Sequence, residues 1–408
     1  MRSRVFKQQK RNFVSLKEQG RKHRPDYALL VLMSILLLCG AIVVYSIGPG
    51  LTGGTDLTSN YYSSKQITAI FLGIIGFIIA AFMPMQKWSK IQNYVIFAAI
   101  AAALAVRFIG EEINGAHRWI QLSGFSFQPA ELVKLAIVLW LAKFLSDKIG
   151  SDDIKNQDTL KYLGGLVAFI VIVVAGLQSD LGSAAVMMAI VGVMSFVAGL
   201  PMKKLLLSAA VLLLLVVIAT VSTPYRRDRV ATFLNPAADC QAEGYQACQA
   251  LITIGSGGLL GKGLGQSVQA YGYLPEPAND SIFAIISEKF GFVGASIVVG
   301  VFWLLFRKLS IIAKATRDNY AMLIVTGVLV WLSVQMAINT GAMMGLLPLK
   351  GITLPFVSYG GTSIIFVMIA MGMVFQASRY TDLTVTTSDN RRPARKHRHG
   401  KSREIYRV

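Results

Sequence analysis

Asp280 lies within a stretch, Gly255 to Gly291, that holds the residue types needed for chemistry at a membrane surface. Gly255, Gly257, Gly258, Gly261, Gly263 and Gly265 supply a backbone able to approach a ligand closely or to adopt positive φ. Pro275 and Pro277 stiffen the approach to Asp280, a carboxylate standing where an apolar helix begins. Spacing alone leaves two roles open: Asp280 or Asn279 caps that helix, the commonest job for such a residue, or Asp280 takes a proton as a general base. Glu288 follows about two helical turns further along the same face. Upstream, Arg226, Arg227 and Arg229 cluster. Their guanidinium forks suit the oxygens of a bound phosphate and equally suit lipid phosphates reached by snorkelling.

Other ionisable residues sit within or beside apolar runs, where a charge is costly and takes a partner inside the bundle. Glu131 and Lys134 share a face of one helix, and Asp180 stands between two apolar runs in LQSDLGSA, residues 177–184. This segment reads as a tight reversal or as the break of a discontinuous helix. Asp180 needs a cation, and Lys134 is the expected partner because both fall toward the outer ends of their spans. His117 has no second histidine at ligand spacing and reads as a surface hydrogen-bonding group. Cys240 and Cys248 lie in a loop facing an oxidising side and are expected to bridge if their Cα atoms come within about 7 Å. Walker, metal-finger and serine-hydrolase motifs are absent from the sequence.

These residues must be held by membrane-spanning helices. The 408-residue chain is 54% hydrophobic and 15% charged, a balance foreign to water-soluble domains. Apolar stretches of spanning length occur at 27–48, 64–83, 91–109, 129–146, 161–178, 181–199, 204–222, 280–306, 320–343 and 358–377. The expected fold class is therefore an all-α integral membrane protein of ten transmembrane helices. One large extracytoplasmic loop, 223–279, lies between helices 7 and 8, within a membrane domain spanning 27–378. The first apolar run is too long for the core of a cleavable signal. The net charge of +19 concentrates in the tails, 1–26 and 379–408, and in the turns at Lys87–Lys90, Lys203–Lys204 and Arg307–Arg317. Both tails are then cytoplasmic by the positive-inside rule. Topology and contact with anionic headgroups account for the charge without nucleic acid.

Four blocks resemble one family: NGAHRWI with FQPAELVKLA, LQSDLGSA, YRRDRVATFLNP through the Gly255–Gly291 stretch, and GLLPLKGITLPFVSYGGTS. The family is the SEDS group (shape, elongation, division and sporulation), polytopic peptidoglycan glycosyltransferases. GKGLGQSVQ followed by YLPE is more similar to its division-associated, FtsW-like branch than to the RodA-like branch.

The resemblance implies polymerisation of lipid II at the outer face of the bacterial plasma membrane, at the division septum. It places Asp280 in the catalytic role, and Arg226, Arg229, Glu276, Lys134, Asp180 and Glu288 with substrate. It also implies a class B penicillin-binding transpeptidase and other divisome membrane proteins as partners. A magnesium or manganese ion suits the departing pyrophosphate, and no nucleotide is required. The chain departs from the family pattern at Asn279 and Ser281 beside the aspartate, at Ser179, at Lys289 and at Asp228. Two rival expectations are a flippase of a lipid-linked sugar, since broken helices with buried charge also build transporters, and a non-catalytic division scaffold.

Overall fold

The computed structural model describes residues 24–52, 58–113, 116–122, 125–206, 240–241 and 244–381. Its helices are α1 (Ala28–Thr52), α2 (Tyr61–Phe82), α3 (Met85–Ile109), α4 (Pro129–Ser146) and α5 (Gln157–Phe169), which continues as a π-helical segment to Leu177. Then come α6 (Leu181–Ala198), α7 (Tyr245–Ser256), α8 (Ile282–Ala315), α9 (Asn319–Met343) and α10 (Gly361–Ala377). Among the described residues, eight helical stretches are long and apolar enough to cross a membrane. α4 lies at its expected span but carries Glu131, Lys134 and Lys143. All but the first three residues of the expected seventh span, 204–222, and Arg226 and Arg229 beyond it, fall outside the described residues.

Among the described helices, α4, α9 and α10 are largely enclosed, and α2, α3 and α5 are peripheral. Ile67, Phe71, Ile78, Phe97 and Phe108 on α2 and α3 are exposed apolar side chains, the reverse of a soluble surface and suited to lipid tails. Lipid supplies no hydrophobic drive between helices, so close packing must hold them. The α2–α10 contact is the most extensive in the bundle. It depends on Gly372, where a Cβ would stand 2.5 Å from the carbonyl oxygen of Phe77. At the other end, Lys308 pairs with Asp26 at 3.0 Å and the backbone N–H of Asp26 donates to Ser378 at 3.1 Å, tying together the ends of α1, α8 and α10.

Two local features depart from a plain bundle. The link between α3 and α4 is a small antiparallel sheet, β1 (Glu111–Ile113), β2 (Ala116–Leu122) and β3 (Phe125–Phe127), in the order β1-β2-β3. It pairs Glu112 with His117 and Gln121 with Ser126. Strand alternation then places Arg118 and Ile120 on one face and His117, Trp119 and Gln121 on the other. The second feature is a break in α8 at Gly291, whose φ of 66° is non-helical.

The glycine-rich loop threads into that break. Gly257 and Gly261 approach the α8 backbone so closely that a Cβ would stand 2.0 Å from the Ser287 carbonyl oxygen and 2.2 Å from that of Lys289, respectively. These glycines were expected to approach a ligand closely or to adopt positive φ; Gly258, Gly261 and Gly263 do have positive φ, and the close approach at Gly257 and Gly261 is to the chain itself. Gly257→Ala meets backbone, which no rotamer change relieves. It should destabilise by about 1–3 kcal/mol, the usual cost of overpacking, and speed proteolytic cleavage within 255–269. An unchanged thermal midpoint together with unchanged cleavage would refute the tight docking.

Candidate active site

The segment before α8 is built from short-range turns and then clamped from outside. The carbonyl of Glu276 accepts from the N–H of Asn279 at 3.1 Å and of Ser281 at 3.2 Å, while the Ser281 hydroxyl donates to the Pro275 carbonyl at 2.8 Å. Glu276 itself has φ of 49°, a left-handed conformation uncommon outside glycine. Such outliers persist where the surroundings over-determine them, often at functional sites.

The clamp comes from distant residues. Asn339 on α9 donates through one amide nitrogen to the carbonyls of Asp280 and Ile352, both at 2.7 Å. Ser358 donates to the Asn279 carbonyl, and the N–H of Tyr359 donates to that of Ala278 at 2.8 Å.

None of these bonds uses the Asp280 carboxylate. The residue capping α8 is Ser281, with no side-chain cap bond, and the Asn279 amide donates to Glu276. Neither residue expected as a possible cap fills that role. Asp280 is 9% exposed, and its Oδ1 is buried without a hydrogen-bond partner. A buried acceptor left open in this way calls for an explanation, and a proton or a substrate hydroxyl supplies one.

Burial raises the Asp280 pKa first and the negative charge of Glu276 adds to it. The dipoles of its own backbone N–H, the Gln246 amide and the Ser281 N–H pull the other way, and the net result is about 7. A general base works ionised. Below pH 7, kcat/KM for the proton-accepting step should therefore fall roughly tenfold per pH unit, and above it should level off. Glu276→Gln removes the repelling charge, lowers the Asp280 pKa and should move this limb to lower pH. A limb that stays in place would dissociate the two carboxylates. By linkage, the raised pKa erodes stability as pH rises from about 4, the unfolded value, to about 7.

Beside Asp280 opens a small cleft lined by Ile338, Asn339, Ala342 and Met343 of α9 and by Lys350, Gly351 and Ile352. A Cβ placed on Gly351 would stand 3.8 Å from Asp280 Oδ2 and 3.7 Å from Nη1 of Arg118. Carboxylate and guanidinium thus both lie beside the bare Cα of Gly351. The sequence reading did not single out Arg118. The alternating pattern of AHRWIQL was the available signal, since it would have marked a strand sending Arg118 inward with Ile120.

Several expected site residues take other positions. Lys134, 1% exposed, pairs with Glu131 at 2.8 Å and donates to Gln335 Oε1 at 2.7 Å. The expected Lys134–Asp180 pair is not formed. Asp180 instead caps α6 by accepting from the Ser183 N–H at 2.9 Å, satisfying an orphan donor of that helix without a cation. The LQSDLGSA segment is a short turn between two packed helical segments. Gln335 also takes the Trp331 indole N–H at 2.7 Å and donates to the Thr353 carbonyl at 3.0 Å. Through Gln335, Lys134 braces the loop that forms the cleft.

Glu288 was expected with substrate, but its carboxylate is fully buried and engaged by its own chain. It accepts from the Ser267 hydroxyl and from the N–H groups of Val268 at 3.2 Å and Gln269 at 3.4 Å, and pairs with Lys262 at 3.4 Å. It latches the glycine-rich loop onto α8. Arg226 and Arg229 lie outside the described residues. Cys240 and Cys248 form a disulfide with Cα atoms 5.6 Å apart. His117 bonds the Gly110 carbonyl at 2.9 Å. Among the described residues, no three His, Cys, Asp or Glu side chains gather as metal ligands.

Comparison with known proteins gives one consistent picture. Residues 27–383 match the family described as cell cycle protein, FtsW/RodA/SpoVE. The chain is 34% identical over 360 residues to the probable peptidoglycan glycosyltransferase FtsW of Saccharophagus degradans, covering 87% of this chain and 92% of that protein. It is 35% identical over 364 residues to stage V sporulation protein E of Bacillus subtilis, covering 88% and 99%. Among solved structures, it is similar to a peptidoglycan synthase complex studied for the coordination of polymerization and crosslinking, with TM-score 0.71 and 30% identity over 88% of this chain and 99% of that one. The rod shape determining protein RodA of Thermus thermophilus follows with TM-score 0.62 and 27% identity over 88% and 98%.

Proposed function

The chain belongs to the FtsW/RodA/SpoVE family, the SEDS proteins, and from that premise we propose that it polymerises lipid II into glycan strands at the outer face of the plasma membrane during septal wall synthesis. Its relatives are named peptidoglycan glycosyltransferases, and this chain is a glycosyltransferase of cell-wall synthesis. In the proposed step, an acceptor sugar hydroxyl gives its proton to Asp280 as its oxygen bonds to the donor's anomeric carbon. The bond from that carbon to the diphosphate breaks, and its electron pair leaves with the lipid diphosphate. In-line attack inverts the anomeric centre, by analogy with inverting glycosidases. The observation that carries this reading is the Asp280 carboxylate itself: buried, open at Oδ1, poised near neutrality and set at a cleft.

The proposed topology keeps both termini in the cytoplasm. A class B penicillin-binding transpeptidase is the proposed partner, supported by the likeness to a synthase complex. Magnesium or manganese enters the proposal only as a companion of the diphosphate. The described side chains do not fit a protein-held metal centre, so no step runs through one.

The test incubates purified protein with lipid II, alone and with a co-purified class B transpeptidase, and resolves glycan by gel. Strands that lengthen with time are expected. Movement of a fluorescent lipid-linked sugar across liposomes with no strand formed would favour the flippase instead. Absence of both activities, with and without the transpeptidase, would favour the scaffold.

A further inference from the structure

Arg118 is held in an arrangement that ordinary surface arginines lack. Its Nε donates to the Gln178 carbonyl at 3.2 Å and its Nη2 to the Ser179 carbonyl at 2.6 Å. Both acceptors belong to the turn between the π-helical segment and α6, where Ser179 keeps a left-handed φ of 52°. Two of the three guanidinium nitrogens are thus fixed by neutral oxygens. Among the described residues no carboxylate lies within ion-pair distance to cancel the charge. The third nitrogen, Nη1, and Asp280 Oδ2 both lie beside Gly351, at 3.7 Å and 3.8 Å from the place a Cβ would take. A snorkelling arginine needs freedom to follow headgroups, whereas this one is tied to a second element and stands beside Gly351, a residue of the cleft wall. A rigid, uncompensated fork is suited to phosphate oxygens.

We propose that Arg118 is a substrate-binding catalytic residue whose Nη1 takes the diphosphate of the prenyl-linked sugar donor above Gly351. The inference rests on the glycosyltransferase reading of Asp280 and names the group opposite it. As the new glycosidic bond forms and the anomeric carbon–oxygen bond breaks, the electron pair settles on the diphosphate oxygen facing Arg118. The hydroxyl proton goes to Asp280 on the other side. Stabilising charge where it develops, from a group already fixed, is the most effective electrostatic contribution to such a step.

The test uses the full chain in neutral detergent, with farnesyl diphosphate as probe and titration calorimetry as readout. Inorganic pyrophosphate and phosphatidylglycerol serve as competitors. Arg118→Gln should weaken farnesyl diphosphate binding at least about tenfold, as expected for losing a charge-assisted contact, and Arg118→Lys should fall between. Asp280→Asn keeps the cation and should bind the probe at least as tightly as wild type while forming glycan at least about 10²-fold more slowly. Pyrophosphate, but not phosphatidylglycerol, should compete.

Unchanged binding in a folded Arg118→Gln protein would overturn the inference. So would displacement by phosphatidylglycerol as effective as by pyrophosphate, which would mark a headgroup contact. Should Arg118→Gln not fold, Arg118→Lys decides: wild-type affinity for the probe overturns the proposal. Wild-type protein that binds the probe through Arg118 yet polymerises nothing would remove the polymerase reading and leave the anion site standing.

Discussion

Asp280→Asn protein should form glycan from lipid II at least about 10²-fold more slowly than wild type, the lower bound for losing a positioned general base, with its thermal midpoint unchanged or raised. Both halves follow from the same geometry. The clamp on this segment grips backbone: Asn339 holds the Asp280 carbonyl, and Ser358 and Tyr359 hold those of Asn279 and Ala278. Little is lost on substitution, because Oδ1 has no hydrogen-bond partner, the carboxylate caps no helix, and the dipoles of Gln246 and of the Ser281 N–H that act on it are outweighed by burial and by Glu276. The amide is isosteric and removes a buried charge that Glu276 repels. Rate and stability should therefore separate. Near-wild-type polymer from a folded Asp280→Asn sample would remove Asp280 from the mechanism, while loss of fold in step with loss of activity would return it to a structural role.

Lys134→Met should cost about 3–5 kcal/mol of stability, the usual penalty for stranding one member of a buried ion pair. Glu131, 3% exposed, would lose the one cation that pairs with it among the described residues and keep a second oxygen that already lacks a partner. Gln335 would lose one of the groups that orient it toward Thr353, so the cleft loop should loosen as well. Pairing the change with Glu131→Gln removes the stranded charge and should restore most of the loss, as replacement of whole buried pairs by neutral groups often does. Thermal unfolding of the two single variants and the double variant in one detergent gives the coupling energy. Additive losses would mean that Lys134 and Glu131 do not act as a pair. An Asp180→Asn variant should not couple to Lys134, since Asp180 is engaged with the α6 terminus.

The functional core was legible in part because its signals are local. A proline-stiffened approach and an aspartate at a helix start can be read within a few residues, and Asp280 does sit at a cleft with its carboxylate unspent. The cap reading was equally local and failed, because the α8 cap falls one residue later, at Ser281. The glycine-rich loop illustrates a different limit. Composition showed that its backbone could come close to something, but a glycine has no side chain to say what, and at Gly257 and Gly261 the answer is the broken α8. Helical spacing put Glu288 on the face of Asp280 and the family resemblance put it with substrate, yet the break at Gly291 and the loop threaded there enclose its carboxylate completely.

The sequence by itself determined that this is a membrane protein of the FtsW/RodA/SpoVE family, where its described spans lie, and which carboxylate stands at the start of α8. Hydrophobic length and short motifs are properties of one segment, and the bilayer rewards them segment by segment. Only the tertiary structure decided which charges meet. Lys134 turned to Glu131 and to Gln335 on a distant helix, Asp180 to its own helix terminus, and Arg118 to a place beside Gly351, which Asp280 also approaches. Those choices depend on how each helix is rotated about its axis and how closely two backbones approach, and both are set by packing between elements far apart in the chain.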